Sequence, residues 1–317
     1  MEDVFVPLTD AGTLPPFGAG RIVTEWGLAP LPTILTVWGI GFYLWGVYAL
    51  RARGDRWSWG RTSAWTGGWL VFSFATSSGL AAYDDTLLSV HMAQHMLLSM
   101  VVPLLLALGA PVTLALRTLP GRLRKALLAV LHSRVVKVLS FPPLAFALYV
   151  LSPWALYFSG WYEASLRSDY IHEMMHVHLV LVGCLFFWPI VGIDPIPGKV
   201  AYPFRMLLLV MTLPFHAFLG VTIMGQTQLL AGDWYQSLPE TWLPDPAQDQ
   251  KVAGALLWAS GDLIGLLLFV VLFVQWVRDS MREAAREDRR LDLAEARAAA
   301  AAAASQAPVA AEATSDE

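Results

Sequence analysis

The stretch Ile171–Gly192, IHEMMHVHLVLVGCLFFWPIVG, decides how the chain is read. Near its start lies HEMMH, His172 to His176, which by pattern is HExxH, the helical zinc-protease signature of two histidines one turn apart with a glutamate as general base. The run that follows holds no Lys, Arg, Asp or Glu. The whole stretch matches the roughly 20 residues an α-helix needs to cross about 30 Å of hydrocarbon. The histidines therefore open a membrane span.

Similar runs elsewhere bring the total to seven: roughly 28–50, 63–81, 87–115, 136–158, 171–193, 206–230 and 252–277. Of 317 residues 56% are hydrophobic and 15% charged, a balance foreign to soluble domains of this length. The expected fold class is all-α: a polytopic membrane protein with seven transmembrane helices over 28–277, an extracytoplasmic segment 1–27 and a cytoplasmic tail 278–317. The third run is long enough that its end should tilt or kink at Pro103 or Pro111. The single cysteine, Cys184, lies within an apolar run, so no internal disulfide can form. MEDVFVPLTDAGTLPPF has no basic region ahead of an apolar core and does not read as a cleavable signal peptide.

Alternate loops set the orientation. RARGDRWSWGR, RTLPGRLRKALLAVLHSRVVK, DPIPGKVAYPFR and the tail hold 18 of the 21 Lys and Arg, whereas Arg21, Arg167 and Lys251 fall on the other side. By the positive-inside rule the N-terminus faces outward and the C-terminus the cytoplasm. The tail starts as a charged, Ala-rich continuation of the last helix, then reads as disordered. RLRKALLAVLHSRVVK reads as a basic amphipathic helix on the inner leaflet, with His132 a solvated interfacial residue.

An Asp at the centre of a span costs on the order of +2.5–3.5 kcal/mol, so ionisable residues there are functional candidates. His91 and His95 open the third span in HMAQHMLLSM, and His172 and His176 open the fifth at the same spacing. His216 lies near the middle of the sixth, in PFHAFLG, and Asp262 in the seventh, in WASGDLIG. In the expected orientation all of these fall in the outer half of the bundle, His95 and His176 about 5.4 Å deeper than His91 and His172. An i, i+4 pair holds its imidazoles about 6 Å apart at Cβ, close enough to share one metal. Two pairs and a fifth histidine can supply a four-coordinate site, and their shared depth favours metal or cofactor binding over packed core histidines. Met92, Met96 and Met100, with Met174 and Met175, add thioethers, which together with imidazole suit copper, Cu(I) especially, better than Mg or Ca. The plain alternative for those methionines is packing or lipid contact. Gln94 and Glu173 are candidates for orienting imidazole N–H groups. His178, about 200° round the helix from His176, reads as a packing residue. Gln226 and Gln228 are weaker candidates.

HMAQHMLL at His91–Leu98, the pair His172/His176, PFHAFLGVTI at Pro214–Ile223 and DQKVAGALLWASGDL at Asp249–Leu263 together resemble the CtaG-like cytochrome c oxidase assembly family of bacterial membrane proteins. The resemblance covers roughly 28–277 and implies copper delivery to a haem–copper oxidase, with oxidase subunits as partners and a bacterial plasma membrane as location. Carried over by position, it implies His91, His95, His172, His176 and His216 as copper ligands with Asp262 as a polar partner, and no enzymatic activity.

Three other readings stay open. An intramembrane zinc protease would use His172 and His176 as ligands, Glu173 as base and Asp262 as third ligand, leaving His91, His95 and His216 without roles. A haem-binding electron carrier would pair histidines across helices. A copper transporter would need a polar path through the inner half, and none is visible in the sequence.

Overall fold

The computed structural model describes residues 14–27, 29–197, 200–239 and 242–313, with side chains as far as 301. Residues 1–13 of the expected N-terminal segment, and Lys199 of one basic loop, lie outside the described residues. What is described is helical, apart from a single bridge between Trp26 and Ser78.

Five helices are long and apolar enough to cross a membrane: Pro30–Ala52, Leu88–Thr118, Asp169–Val191, Tyr202–Gly225 and the stretch Pro246–Ala301. Pro142–Tyr157 and Gly160–Leu166, bent by 67°, make a sixth if they form one broken span. The expected 63–81 span corresponds to the helix Trp59–Ser77, whose Thr, Ser and Gly content leaves it less apolar than the others. Large apolar side chains cover the outer faces, among them Trp38, Phe42 and Trp45 on one helix and Leu263, Leu266 and Leu267 on another. Water does not stabilise such a surface and hydrocarbon does. The chain is a multi-pass membrane protein.

The HMAQH helix, Leu88–Met96, runs through a π turn at Leu97–Val101 into Val102–Leu108. Pro103 cannot bond the Ser99 carbonyl, and the widened turn lies where that bond is missing. Gly183 of the HEMMH helix, Asp169–Val191, sits on this turn, and a Cβ there would overlap the Ser99 carbonyl and Pro103. The real break comes later, at Ala110 in the left-handed region (φ 51°), just ahead of Pro111. Phe72, Ala75, Leu98, Val102, Leu106 and Leu179 form the apolar core joining these two helices to Trp59–Ser77. Asp249 accepts bonds from the Ser89 backbone N–H (3.1 Å) and hydroxyl, capping the HMAQH helix from another helix altogether.

Away from the histidines, the buried Asp194 carboxylate accepts from the Val112 N–H (3.3 Å), Thr113 N–H (2.8 Å), Thr113 hydroxyl (2.6 Å) and Trp188 indole (3.0 Å). Tyr202–Gly225 stops at Gly225, so Gln226 and Gln228 fall beyond the helix. Gly220 and Gly254 meet so closely that a Cβ on either would come within 2.6 Å of the other's carbonyl.

The chain divides into two units, Met1–Phe269 and Val270–Glu317. In the second the helix runs on to Ala313, through the Ala run that composition assigned to disorder; alanine is the strongest helix former. Its described side chains beyond Val277 are exposed, with ion pairs Asp279–Arg282 and Glu287–Arg290 at i, i+3 spacing.

Candidate metal centre

Four of the five expected histidines come together. Within each helix the i, i+4 rings lie side by side, His91–His95 at 3.9 Å and His172–His176 at 4.6 Å between centroids. Across the interface His91 faces His172 at 5.5 Å and His95 faces His176 at 6.0 Å. First meets first and second meets second, so the two helices run parallel and in register here. His91, His95 and His176 are buried, and His172 is nearly so.

The partners of each ring decide which nitrogen carries a proton. His91 Nδ1 lies 3.1 Å from the Asp84 carbonyl, which can only accept, so Nδ1 donates and Nε2 keeps its lone pair. Tyr157 donates its hydroxyl to Met92 Sδ (3.4 Å), leaving its oxygen to accept from His95 Nδ1 (2.7 Å). Gln94 donates Nε2 to the Ala75 carbonyl (3.0 Å) and the Asp84 carboxylate (2.8 Å), which turns its Oε1 towards His176 Nε2 (3.1 Å) as acceptor. The nitrogens left over are His91 Nε2, His95 Nε2 and His176 Nδ1, and each is buried without a hydrogen-bond partner. So is His172 Nε2, which stands 3.5 Å from Asp84 Oδ2. A buried polar atom without a partner costs about 1–3 kcal/mol, so several in one place call for an explanation.

Two sets of possible ligand atoms lie within 4.8 Å of one another: His91, His95 and His172, and Asp84, His172 and His176. Asp84 is the residue that motif reading passed over. It lies in the loop between helices, seven residues ahead of His91, in the acidic pair Asp84–Asp85. Burial, with Asp85 beside it, holds the Asp84 carboxyl well above the usual carboxylate range, and the Gln94 bond opposes this. Tyr157 was equally invisible in sequence, since only the packing of separate helices brings its hydroxyl within bonding distance of His95. The helix Gly232–Ser237 covers the centre: Trp234 donates to the Asp85 carbonyl (2.7 Å), and the Tyr235 and Tyr162 hydroxyls lie 2.5 Å apart. Tyr162 in turn packs edge-on to His91.

The other candidates lie elsewhere. His216 packs against Tyr149 and Gly261 and lines a small cavity with Met96, Ser99 and Ser152. It belongs to neither set of ligand atoms. Asp262 accepts from Trp258 (2.9 Å) and belongs to neither set. Glu173 is half-buried, Met174 faces outward (47% exposed), and Met92 reaches the centre only through Tyr157. His178 is bonded to Ser152 (2.5 Å).

The fold and the site thus define a multi-pass membrane protein with a buried histidine centre between two parallel helices. The chain belongs to the cytochrome c oxidase caa3 assembly factor family, whose sequence pattern matches residues 41–279. It is 42% identical over 268 residues to uncharacterized proteins of Mycobacterium bovis and Mycobacterium tuberculosis, and 41% identical over 269 residues to one of Mycobacterium leprae. Each alignment covers 82% of this chain and 40% of the relative, so the chain spans well under half the length of those proteins. No solved structure matches it.

Proposed function

We propose that this chain binds copper in the outer half of a bacterial plasma membrane and delivers it to a haem–copper oxidase during assembly. Copper is cargo here, and the oxidase subunits are the partners. The observation that carries the reading is the cluster of buried, unpartnered imidazole nitrogens, three of them fixed by acceptors that take the N–H on the far side of the ring. Holding a ligand by its second nitrogen is how proteins orient histidines towards metals, and imidazole suits copper. The lysine and arginine distribution supports seven spans with the N-terminus outside, the helix Trp59–Ser77 completing the set. The family's role in oxidase assembly supplies the destination.

Metal analysis of the purified full chain tests this. Copper should co-purify or bind stoichiometrically in the wild type and fall to background in the double variant His91→Ala/His95→Ala. Equal copper in both would falsify the proposal.

One observation favours a second reading. Asp84 with His172 and His176 is a carboxylate joined to an HExxH pair, a donor set that also suits catalytic zinc. The Glu173→Gln variant separates the two: hydrolysis needs Glu173 as base, and copper binding does not.

A further inference from the structure

We infer that the centre gives one copper ion two alternative three-ligand positions that share His172. One is an oxygen-containing position of Asp84, His172 and His176, and the other an all-imidazole position of His91, His95 and His172. The inference rests on the copper reading above and deepens it by assigning Asp84 as a ligand and giving the ion a path.

Four features of the centre converge on it. The two sets of ligand atoms are separate apart from His172, so the same ring can stay bound while its companions change. His172 Nε2 and Asp84 Oδ2 face each other at 3.5 Å, beyond hydrogen-bond geometry; the nitrogen has no partner, and the oxygen, which accepts from Gln94 Nε2 (2.8 Å), keeps a further lone pair for a cation. The positions also differ in access. Leaving out the shared His172, Asp84 and His176 are 6% and 5% exposed, whereas His91 and His95 are 0% and 1% exposed. An arriving ion therefore meets the carboxylate position first. Finally, Asp84 touches both positions: its carboxylate belongs to one, and its backbone carbonyl holds His91 of the other by Nδ1.

The transfer is a ligand exchange with no change of oxidation state. The bonds to Asp84 Oδ2 and His176 Nδ1 break as those to His91 Nε2 and His95 Nε2 form, and His172 Nε2 remains bound throughout. A carboxylate with two imidazoles is the harder donor set and suits capture of a divalent ion, while three buried imidazoles suit retention.

The experiment is electron paramagnetic resonance of the full chain in detergent with one equivalent of Cu(II), alongside total copper and the thermal unfolding midpoint. The wild type should show two overlapping signals, one with mixed nitrogen and oxygen coordination and one with nitrogen alone. Asp84→Asn should lose the mixed signal and keep the all-nitrogen one. His176→Leu, which removes a different ligand of the same position, should do the same and guards against a folding defect in either variant. His95→Leu should leave only the mixed signal. A wild-type spectrum unchanged by both Asp84→Asn and His176→Leu would sink the two-position scheme while leaving copper binding intact. Complete loss of copper in Asp84→Asn with a normal unfolding midpoint would sink it too, since it would mean one composite site. No copper in the wild type would instead remove the underlying functional reading.

Discussion

Two buried polar networks in this molecule are built on opposite logic. Around Asp194 a carboxylate is surrounded by donors: two backbone N–H groups, a hydroxyl and an indole. Around His91, His95, His172 and His176 three of the four rings, all but His172, are held from behind, and the inward nitrogens have no hydrogen-bond partner. The first network is complete and fixes the chain near Pro111. The second leaves buried ring nitrogens without a hydrogen-bond partner, the feature on which the proposed copper reading rests. Burial alone therefore does not mark a functional site; what marks it is which atoms are left unsatisfied.

The sharpest way to break this contrast is Asp194→Ala. Several half-buried donors lose their acceptor at once, at up to about 1–3 kcal/mol each, so the unfolding midpoint should fall by several degrees or the protein should fail to accumulate. Copper per folded molecule should stay constant. A parallel loss of copper would mean that the two networks are not separable.

Gln94→Leu comes next in size. It removes the acceptor that fixes His176 and the donor that holds Asp84. Copper affinity, measured by competition with a chelator, should drop by about 10- to 100-fold, the usual effect of losing a group that orients a metal ligand.

His95→Leu probes the reverse side of the comparison. In metal-free protein its stability should change by less than about 1 kcal/mol, because removing the unpartnered Nε2 offsets the lost bond from Nδ1 to Tyr157. A large destabilisation in calorimetry would show that His95 is structural, like Asp194.

The smallest expected effect is that of Glu173→Gln. Its side chain is half-buried and belongs to neither set of ligand atoms. Copper content should equal that of the wild type, and a fall would bring Glu173 into the centre.

Much of the bundle could be read without coordinates. Hydrocarbon thickness fixes how long an apolar helix must be, and five such helices, with a bent pair as a sixth, lie where apolar runs were expected. The register of His91 with His95 and of His172 with His176 follows from helical periodicity alone. Where breaks fall was less legible. Pro103 is absorbed by a π turn, whereas the chain turns at Ala110, because a missing N–H can be accommodated by widening a helix under good packing. Membership of the assembly-factor family was also legible, since it rests on motifs and spacings, and the sequence pattern over 41–279 carries it.

The sequence by itself determined that this chain is an apolar helical bundle with two histidine pairs one turn apart, because length and periodicity are local properties. Tertiary structure decided which groups share the centre. It brought Asp84 to His172 and Tyr157 to His95, and left His216 beside Tyr149. It also decided which nitrogen is bare in His91, His95 and His176, through a carbonyl, a phenol and an amide. A ring's tautomer is set by whatever the fold places behind it, and for His95 and His176 that partner is 62 or 82 residues away along the chain.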